Sequence, residues 1–180
     1  MRIRENRTYA VWICMAGFLA GIVYANLPAR NEIADMGIFQ EHFFSRFSQA
    51  DTMSAGFLWY VARIRLMPAL FLAVFGCTRF RKGAAAVMLL WTGFSCGLIM
   101  TAAVIKMGVK GWLFCLAAFT PHLFFYAAGY LILLWYLLRY PGVQWNLSKT
   151  AATAFLLVTG ILLECYVNPV LLELFLKTFS

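Results

Sequence analysis

Five apolar stretches dominate this sequence, and each is long enough to cross a lipid bilayer as an α-helix. They cover residues 9–27, 56–77, 84–105, 112–138 and 151–167. A transmembrane helix needs ~20 apolar residues, and backbone groups in the bilayer core must be hydrogen-bonded within a helix or a closed barrel. The stretches lack the alternation of polar and apolar residues that a barrel strand requires. The sequence therefore predicts an all-α, polytopic integral membrane protein, a single domain over residues 1–180 with a bundle of about five transmembrane helices.

The composition agrees with this fold class. Hydrophobic residues make up 63% of the 180 positions and charged residues 12%, whereas about 25% are charged in soluble domains. Arg2, Arg4 and Arg7 precede the first stretch as they would in a signal peptide, but the apolar core is longer than the ~7–15 residues of a signal sequence. We therefore expect the first stretch to be retained as a transmembrane helix.

The positive charges indicate how the helices are oriented. Alternating the stretches across the membrane places eight lysines and arginines on one side, namely Arg2, Arg4, Arg7, Arg79, Arg81, Lys82, Arg139 and Lys149. The other side receives five, together with four carboxylates. Because Lys and Arg of short loops stay inside, we predict a cytoplasmic N-terminus and a C-terminus outside. The net charge of +8 forms no basic stripe, so we expect contact with membrane lipids and not with nucleic acid.

One connection, residues 28–55, is longer than the others and lies on the predicted outer side. Phe39, Phe43 and Phe47 recur at intervals of four residues, so on a helix they line one side. The pattern predicts an amphipathic helix in the membrane interface. Two readings remain open: this extracytoplasmic segment covers the bundle as a lid, or its phenylalanines bind a partner protein.

Three charged residues and one histidine fall inside the predicted membrane stretches. A rise of ~1.5 Å per residue places Arg63 and Arg65 roughly 10–14 Å, His122 roughly 15 Å and Glu164 roughly 10 Å below the outer boundary. An unpaired charge at this depth is costly, whereas a hydrogen-bonded Arg–Glu pair is tolerated. We expect Glu164 to be the counter-ion of Arg63 or Arg65. This intramembrane polar cluster either fixes helix register or binds a substrate or ion, and both readings stay open.

Three prolines, Pro68, Pro121 and Pro169, lie near the same depth. Proline removes a backbone donor and displaces the residue before it from helical geometry. We therefore expect helix breaks at all three positions.

The sequence offers no constellation for catalysis or for a metal ion. His122 is the only histidine in the predicted stretches. A Ser–His–Asp triad also requires a well-placed serine and a carboxylate, and the sequence does not provide both beside His122. The five cysteines show neither C-x-x-C nor Cys/His metal spacing, which favours packing roles. We predict a protein without enzymatic activity, cofactor or metal ion.

Two G-x-x-x-G patterns, Gly17–Gly21 and Gly93–Gly97, permit helices to approach closely. They are compatible with packing inside one chain and with a homo-oligomer. The sequence does not decide between these two uses.

Several segments resemble the stage II sporulation protein M family. They are GFLAGIVYANL in the first stretch, FRKGAAAVMLLWTGFSCGLIMTAAVIKMGVKGWL over the third and fourth, FTPHLFFYAAGY, and LLECYVNPVLLELF near the end. The last segment is the most specific, because the family similarly closes with a glutamate, an aromatic residue and a proline, here Glu164, Tyr166 and Pro169. Many members follow the proline–histidine pair with glycine and then a glutamate, where this chain has LFFY at 123–126. A role for that acid therefore does not carry over.

The resemblance implies a multi-pass protein of the bacterial cell membrane that acts in peptidoglycan remodelling during engulfment, a step of endospore formation. In that family the M protein is a non-catalytic scaffold for the membrane-anchored P protein, an amidase and endopeptidase, which recruits the D protein, a lytic transglycosylase. The alternative hypothesis is a small membrane transporter or permease subunit with an intramembrane Arg/His/Glu site. In a scaffold, the intramembrane polar cluster should exclude water and all its polar groups should be hydrogen-bonded. In a transporter, a water-filled cavity should reach the cluster from one side of the membrane.

Overall fold

The computed structural model describes the backbone of residues 2–35, 55–140 and 142–179. All regular structure within these ranges is helical. The helices are α1 (Arg2–Asn26), α2 (Arg30–Asp35), α3 (Ala55–Gly76), α4 (Arg81–Met107), α5 (Val109–Phe119), α6 (His122–Arg139), α7 (Leu147–Leu162) and α8 (Asn168–Phe179). A π-helical segment, Leu163–Val167, joins α7 to α8.

Five segments of the described chain are long and apolar enough to cross a membrane: Thr8–Asn26, Ala55–Gly76, Arg81–Met107, His122–Arg139 and Leu147–Leu172. The predicted all-α, polytopic membrane fold is therefore confirmed. The fourth segment is shorter than the predicted stretch 112–138, because α5 and α6 are separate helices. The orientation of the termini stays a prediction from the charges.

The three prolines differ in their effect on the helices. The predicted break at Pro68 is wrong, because α3 continues through it. Transmembrane helices tolerate proline where neighbouring groups satisfy the freed backbone. Pro121 separates α5 from α6. At Pro169 the chain stays helical, but the regular α-helix is interrupted just before it: the preceding turn widens, and the N–H of Asn168 donates to the carbonyl of Leu163 five residues earlier.

The chain forms two compact units, each built from segments that are far apart in the sequence. Unit 1 comprises Met1–Ala50 and Ala86–Ala117, and unit 2 comprises Asp51–Ala85 and Ala118–Ser180. The sequence predicts one domain because no linker marks this division. The segments of the two units interleave along the chain, and α4 passes from unit 2 to unit 1 within a continuous helix.

Glycines hold α1 against α4 in unit 1. A Cβ atom added at Gly17 would collide with the backbone of Leu90, and one added at Gly93 would collide with the carbonyl of Cys14. The second glycine of each G-x-x-x-G pattern makes the equivalent contact one turn further on. Residue numbers rise together along the two helices, so α1 and α4 run parallel, as the first and third of alternating spans must. The two patterns therefore pack against each other inside one chain.

The start of the long connection also belongs to unit 1. Ala25, Ala29 and Ile33 are buried together, and apolar side chains of α4 pack against them. The short helix α2 thus covers part of α4, as a lid would. Phe39, Phe43 and Phe47 lie outside the described residues, so their amphipathic face and their partner-binding role stay predictions.

Unit 2 contains α3, α6, α7, the π segment and α8. The helix α7 begins where the side chain of Asn146 accepts a hydrogen bond from the backbone N–H of Lys149 at 3.1 Å. It runs antiparallel to α6, and α3 packs against both. Leu72, Leu137 and Cys165 are fully buried between these elements. This packing brings α3 and the π segment close enough for their polar side chains to meet.

Candidate functional site

Arg65 on α3 and Glu164 on the π segment form a bidentate ion pair within unit 2. The Nε of Arg65 donates to Oε2 of Glu164 at 2.9 Å, and its Nη2 donates to Oε1 at 2.6 Å. The two side chains are 39% and 17% exposed, respectively. Parallel hydrogen bonds of this kind are the strongest form of arginine–carboxylate contact. The expected counter-ion of Glu164 is therefore Arg65.

Arg63, the other arginine predicted for the cluster, lies on a different side of α3. It is exposed, and it precedes Arg65 by two positions, about 200° around the helix axis. Depth in the membrane is nearly the same for both residues. The direction of the side chain decides which arginine reaches Glu164.

Two tyrosines of α6 complete the hydrogen bonding of the pair. The hydroxyl of Tyr126 donates to Oε2 of Glu164 at 2.6 Å, and its ring centroid lies 5.0 Å from Cζ of Arg65. Tyr130, one turn further on, donates to the backbone carbonyl of Arg65 at 2.5 Å. This carbonyl lies three residues before Pro68, next to the carbonyl of Ile64, which the missing N–H of the proline leaves without its helical donor. Tyr130 thus joins α6 to the backbone of α3 beside the proline.

His122 lies beside the cluster, at the start of α6. It is 4% exposed, and its ring meets the ring of Tyr126 edge to face with 5.7 Å between centroids. Its Nδ1 is buried and has no hydrogen-bond partner among the described residues. The structure thus brings His122 to the site through a ring contact with Tyr126.

The backbone before Glu164 makes room for Tyr126. Gly160 precedes Glu164 by one turn, and a Cβ atom there would lie 2.6 Å from Cε1 of Tyr126. The π segment begins immediately afterwards, at Leu163. Such widened turns are frequent at functional sites because they redirect side chains relative to a regular α-helix. The absence of a side chain at Gly160 and the widened turn of the π segment together place the Glu164 carboxylate beside Tyr126.

Neither depth nor charge singles out Tyr126 and Tyr130 in the sequence. The signal that identifies them is their spacing, because His122, Tyr126 and Tyr130 recur every four residues and so share one face of α6. The segment is rich in aromatic residues, which hides this pattern.

No family model, curated protein or solved structure matches this chain. The resemblance to the stage II sporulation protein M family thus stays a prediction from the quoted segments. In the part of the chain that the structure describes, no three His, Cys, Asp or Glu side chains converge as metal ligands would. What the site does physically is to tie α3, α6 and the π segment together through hydrogen bonds.

Proposed function

We propose that this protein is a non-catalytic membrane scaffold that anchors and localises peptidoglycan hydrolases during engulfment in endospore formation. The observation that carries the proposal is the state of Glu164, which accepts three hydrogen bonds from Arg65 and Tyr126. About three of its four acceptor positions are thus occupied. A carboxylate engaged in this way holds helices in register and has little capacity left for a second ligand.

The four sequence segments that resemble the stage II sporulation protein M family support the choice of partners. These are the amidase/endopeptidase and the lytic transglycosylase, stage II sporulation proteins P and D, at the bacterial cell membrane. The proposed contact surface is the aromatic face of Phe39, Phe43 and Phe47, on the predicted outer side where peptidoglycan lies.

Affinity purification of the tagged protein from sporulating cells tests this proposal. We expect both hydrolases to co-purify with the wild type, and to be retained less by the double variant Phe43→Ser/Phe47→Ser at an equal level in the membrane. The double variant Gln40→Ser/Gln49→Ser changes the same segment without removing an aromatic ring and serves as the control. Failure of both hydrolases to co-purify, or release of muropeptides from cell wall by the purified protein alone, would contradict a scaffold role.

A transport role is the second candidate, and two observations favour it. The Arg65 side chain is 39% exposed, and the buried Nδ1 of His122 has no partner among the described residues. Dicyclohexylcarbodiimide, which reacts with protonated carboxyl groups in membranes, distinguishes the two roles without a mutation. A scaffold with a permanently paired carboxylate should resist modification at Glu164. Specific modification of Glu164 would favour transport.

A further inference from the structure

Unit 2 contains an apolar groove that is separate from the intramembrane polar cluster. Its volume is about 380 Å³, within the ~300–1,000 Å³ of typical small-molecule pockets. Side chains of three helices line it, among them Leu66, Leu70, Ala73, Leu133, Tyr136 and Ala154. The loop residue Trp145 borders the same space.

One wall of this groove carries a hydroxyl that lacks a partner. Thr153 is 6% exposed, and no described residue forms a hydrogen bond with its Oγ1. Thr150, the groove residue one turn earlier, is different because it accepts a hydrogen bond from Nε1 of Trp145 at 2.7 Å. A buried hydroxyl without a partner is unfavourable, and a ligand with an acceptor atom would remove that cost.

Aromatic residues connect the groove to a group of cations. The ring of Tyr136 lies 5.1 Å from that of Trp145 and 6.0 Å from that of Tyr140, between centroids. The guanidinium carbon of Arg81 lies 3.5 Å from the ring centroid of Tyr140. A guanidinium group stacked on an aromatic ring still has N–H groups at the guanidinium edge, and these can donate to another acceptor.

Two more cations, Arg139 and Lys149, flank the loop between α6 and α7. Arg139 and Lys149 are 5.4 Å and 6.0 Å from the ring centroid of Trp135. Lys149 donates one of its three N–H groups to the carbonyl of Gln144, which leaves two.

The stretch of sequence that contains these three cations has no carboxylate. No Asp or Glu occurs between Asp51 and Glu164, and Glu164 is paired with Arg65. Basic pockets between transmembrane helices on the cytoplasmic side are typical sites for acidic lipid headgroups. The charge pattern predicts this end of unit 2 to be cytoplasmic.

We propose that the groove binds one acyl chain of an anionic glycerophospholipid. Its phosphate lies among Arg81, Arg139 and Lys149, and an ester carbonyl accepts the hydrogen bond of Thr153. Thr153 follows Lys149 by one turn, about 6 Å along the helix axis, so one helix contacts the phosphate and the ester in succession. The acyl chain lies between the apolar walls of the groove, beyond Thr153. This site does not depend on recruitment of hydrolases, and either proposal can fail alone.

Native mass spectrometry of the full-length protein in detergent, titrated with phosphatidylglycerol or phosphatidylcholine of identical chains, tests the headgroup. We expect phosphatidylglycerol to bind about tenfold more tightly, and Lys149→Gln to weaken it about fivefold. The matched control is Lys82→Gln, an exposed lysine of the same end. Equal affinities for the two lipids, or equal losses in the two lysine variants, would show diffuse attraction only and overturn the proposal.

Photolabelling of the wild type tests the groove without any substitution that affects folding. Phosphatidylglycerol with a diazirine in its acyl chain should label the groove residues Leu66, Leu70, Ala73, Ala154 and Leu157, with the label suppressed by unlabelled phosphatidylglycerol. Glycerol phosphate should not suppress it, since the acyl chain provides the contact. The proposal is wrong if labelling is no stronger there than at lipid-facing Phe155, which is 69% exposed, or if glycerol phosphate competes fully.

Discussion

The helices inside unit 1 and the helices inside unit 2 are joined by different kinds of contact. In unit 1, α1 meets α4 at glycines, and the atoms in contact belong to the backbone. In unit 2, α3, α6 and the π segment are joined by the polar side chains of Arg65, Tyr126, Tyr130 and Glu164. Lipid supplies no hydrophobic force between helices, so close packing and interhelical hydrogen bonds are the available sources of stability. The glycine contacts of unit 1 are an example of the first source, and the polar contacts of unit 2 are an example of the second.

The difference determines what each unit tolerates. A backbone contact cannot move aside without separating two helices, so unit 1 should be sensitive to added volume. A side-chain contact can rearrange, but its charges must stay balanced, so unit 2 should be sensitive to the loss of one partner. Substitutions matched between the units test this contrast.

The largest effect is expected from the substitution Gly93→Ala in unit 1. Its Cβ atom would collide with the carbonyl of Cys14, and neither backbone can yield. Overpacking costs ~1–3 kcal/mol in general, and a backbone neighbour places this variant at the upper end. Reversible unfolding in mixed micelles, followed by circular dichroism, measures the free energy of unfolding.

Gly83→Ala, on the same helix, is the control. A Cβ atom there meets nothing within 4 Å. We expect the free energy of unfolding to be unchanged or raised by up to ~1 kcal/mol, because alanine is the better helix former. Equal destabilisation by both variants would mean that glycine contacts do not hold α1 to α4.

A smaller effect is expected from Gly160→Ala in unit 2. The new methyl group would lie 2.6 Å from Cε1 of Tyr126, but the ring can rotate away from it at the cost of its hydrogen bond to Glu164. We expect a loss of ~1–2 kcal/mol in the free energy of unfolding. Gly129→Ala, whose nearest neighbour is a flexible side-chain atom of Leu157 at 3.3 Å, should change it by less than ~0.5 kcal/mol. A loss at position 160 as large as at Gly93 would remove the contrast between the units.

Hydrogen bonds from the tyrosines should give the smallest effects. Tyr126→Phe removes a donor to a carboxylate and Tyr130→Phe a donor to a carbonyl, so we expect losses of about 1 and about 0.6 kcal/mol. Tyr60→Phe, at a 63% exposed position, is the control and should change nothing. If Tyr126→Phe also leaves the free energy of unfolding unchanged, the hydroxyl contributes no stability to the pair.

The sequence predicts the site in part, and the reason lies in what depth and charge determine. The positions along the predicted helices place the Glu164 carboxylate at nearly the same depth as Arg63 and Arg65. Equal depth and opposite charge are enough to expect an ion pair. Choosing Arg65 over Arg63 requires knowing which side of α3 faces the rest of unit 2. That direction is set by packing between helices. The tyrosines are neutral, so only their four-residue spacing marks them.

The fold shows a similar limit. Apolar length is a local property, and it predicts the spanning segments well. The widened turn before Asn168 depends on which carbonyl accepts each backbone N–H, which composition does not encode. The G-x-x-x-G patterns predict close helix contact but do not show which helix is the partner. The division into two units is not visible in the sequence, because no linker separates them.

The Arg65–Glu164 pair ties α3 to the π segment, and a double-mutant cycle measures the free energy of that contact. Unfolding is measured for Arg65→Leu, Glu164→Ala and the combined variant, and the same cycle is repeated with Arg63→Leu. We predict a coupling energy above ~1 kcal/mol for Arg65 and within ~0.5 kcal/mol of zero for Arg63, because residues in contact couple and separated ones do not. No coupling for Arg65, or equal coupling for both arginines, would contradict the pairing.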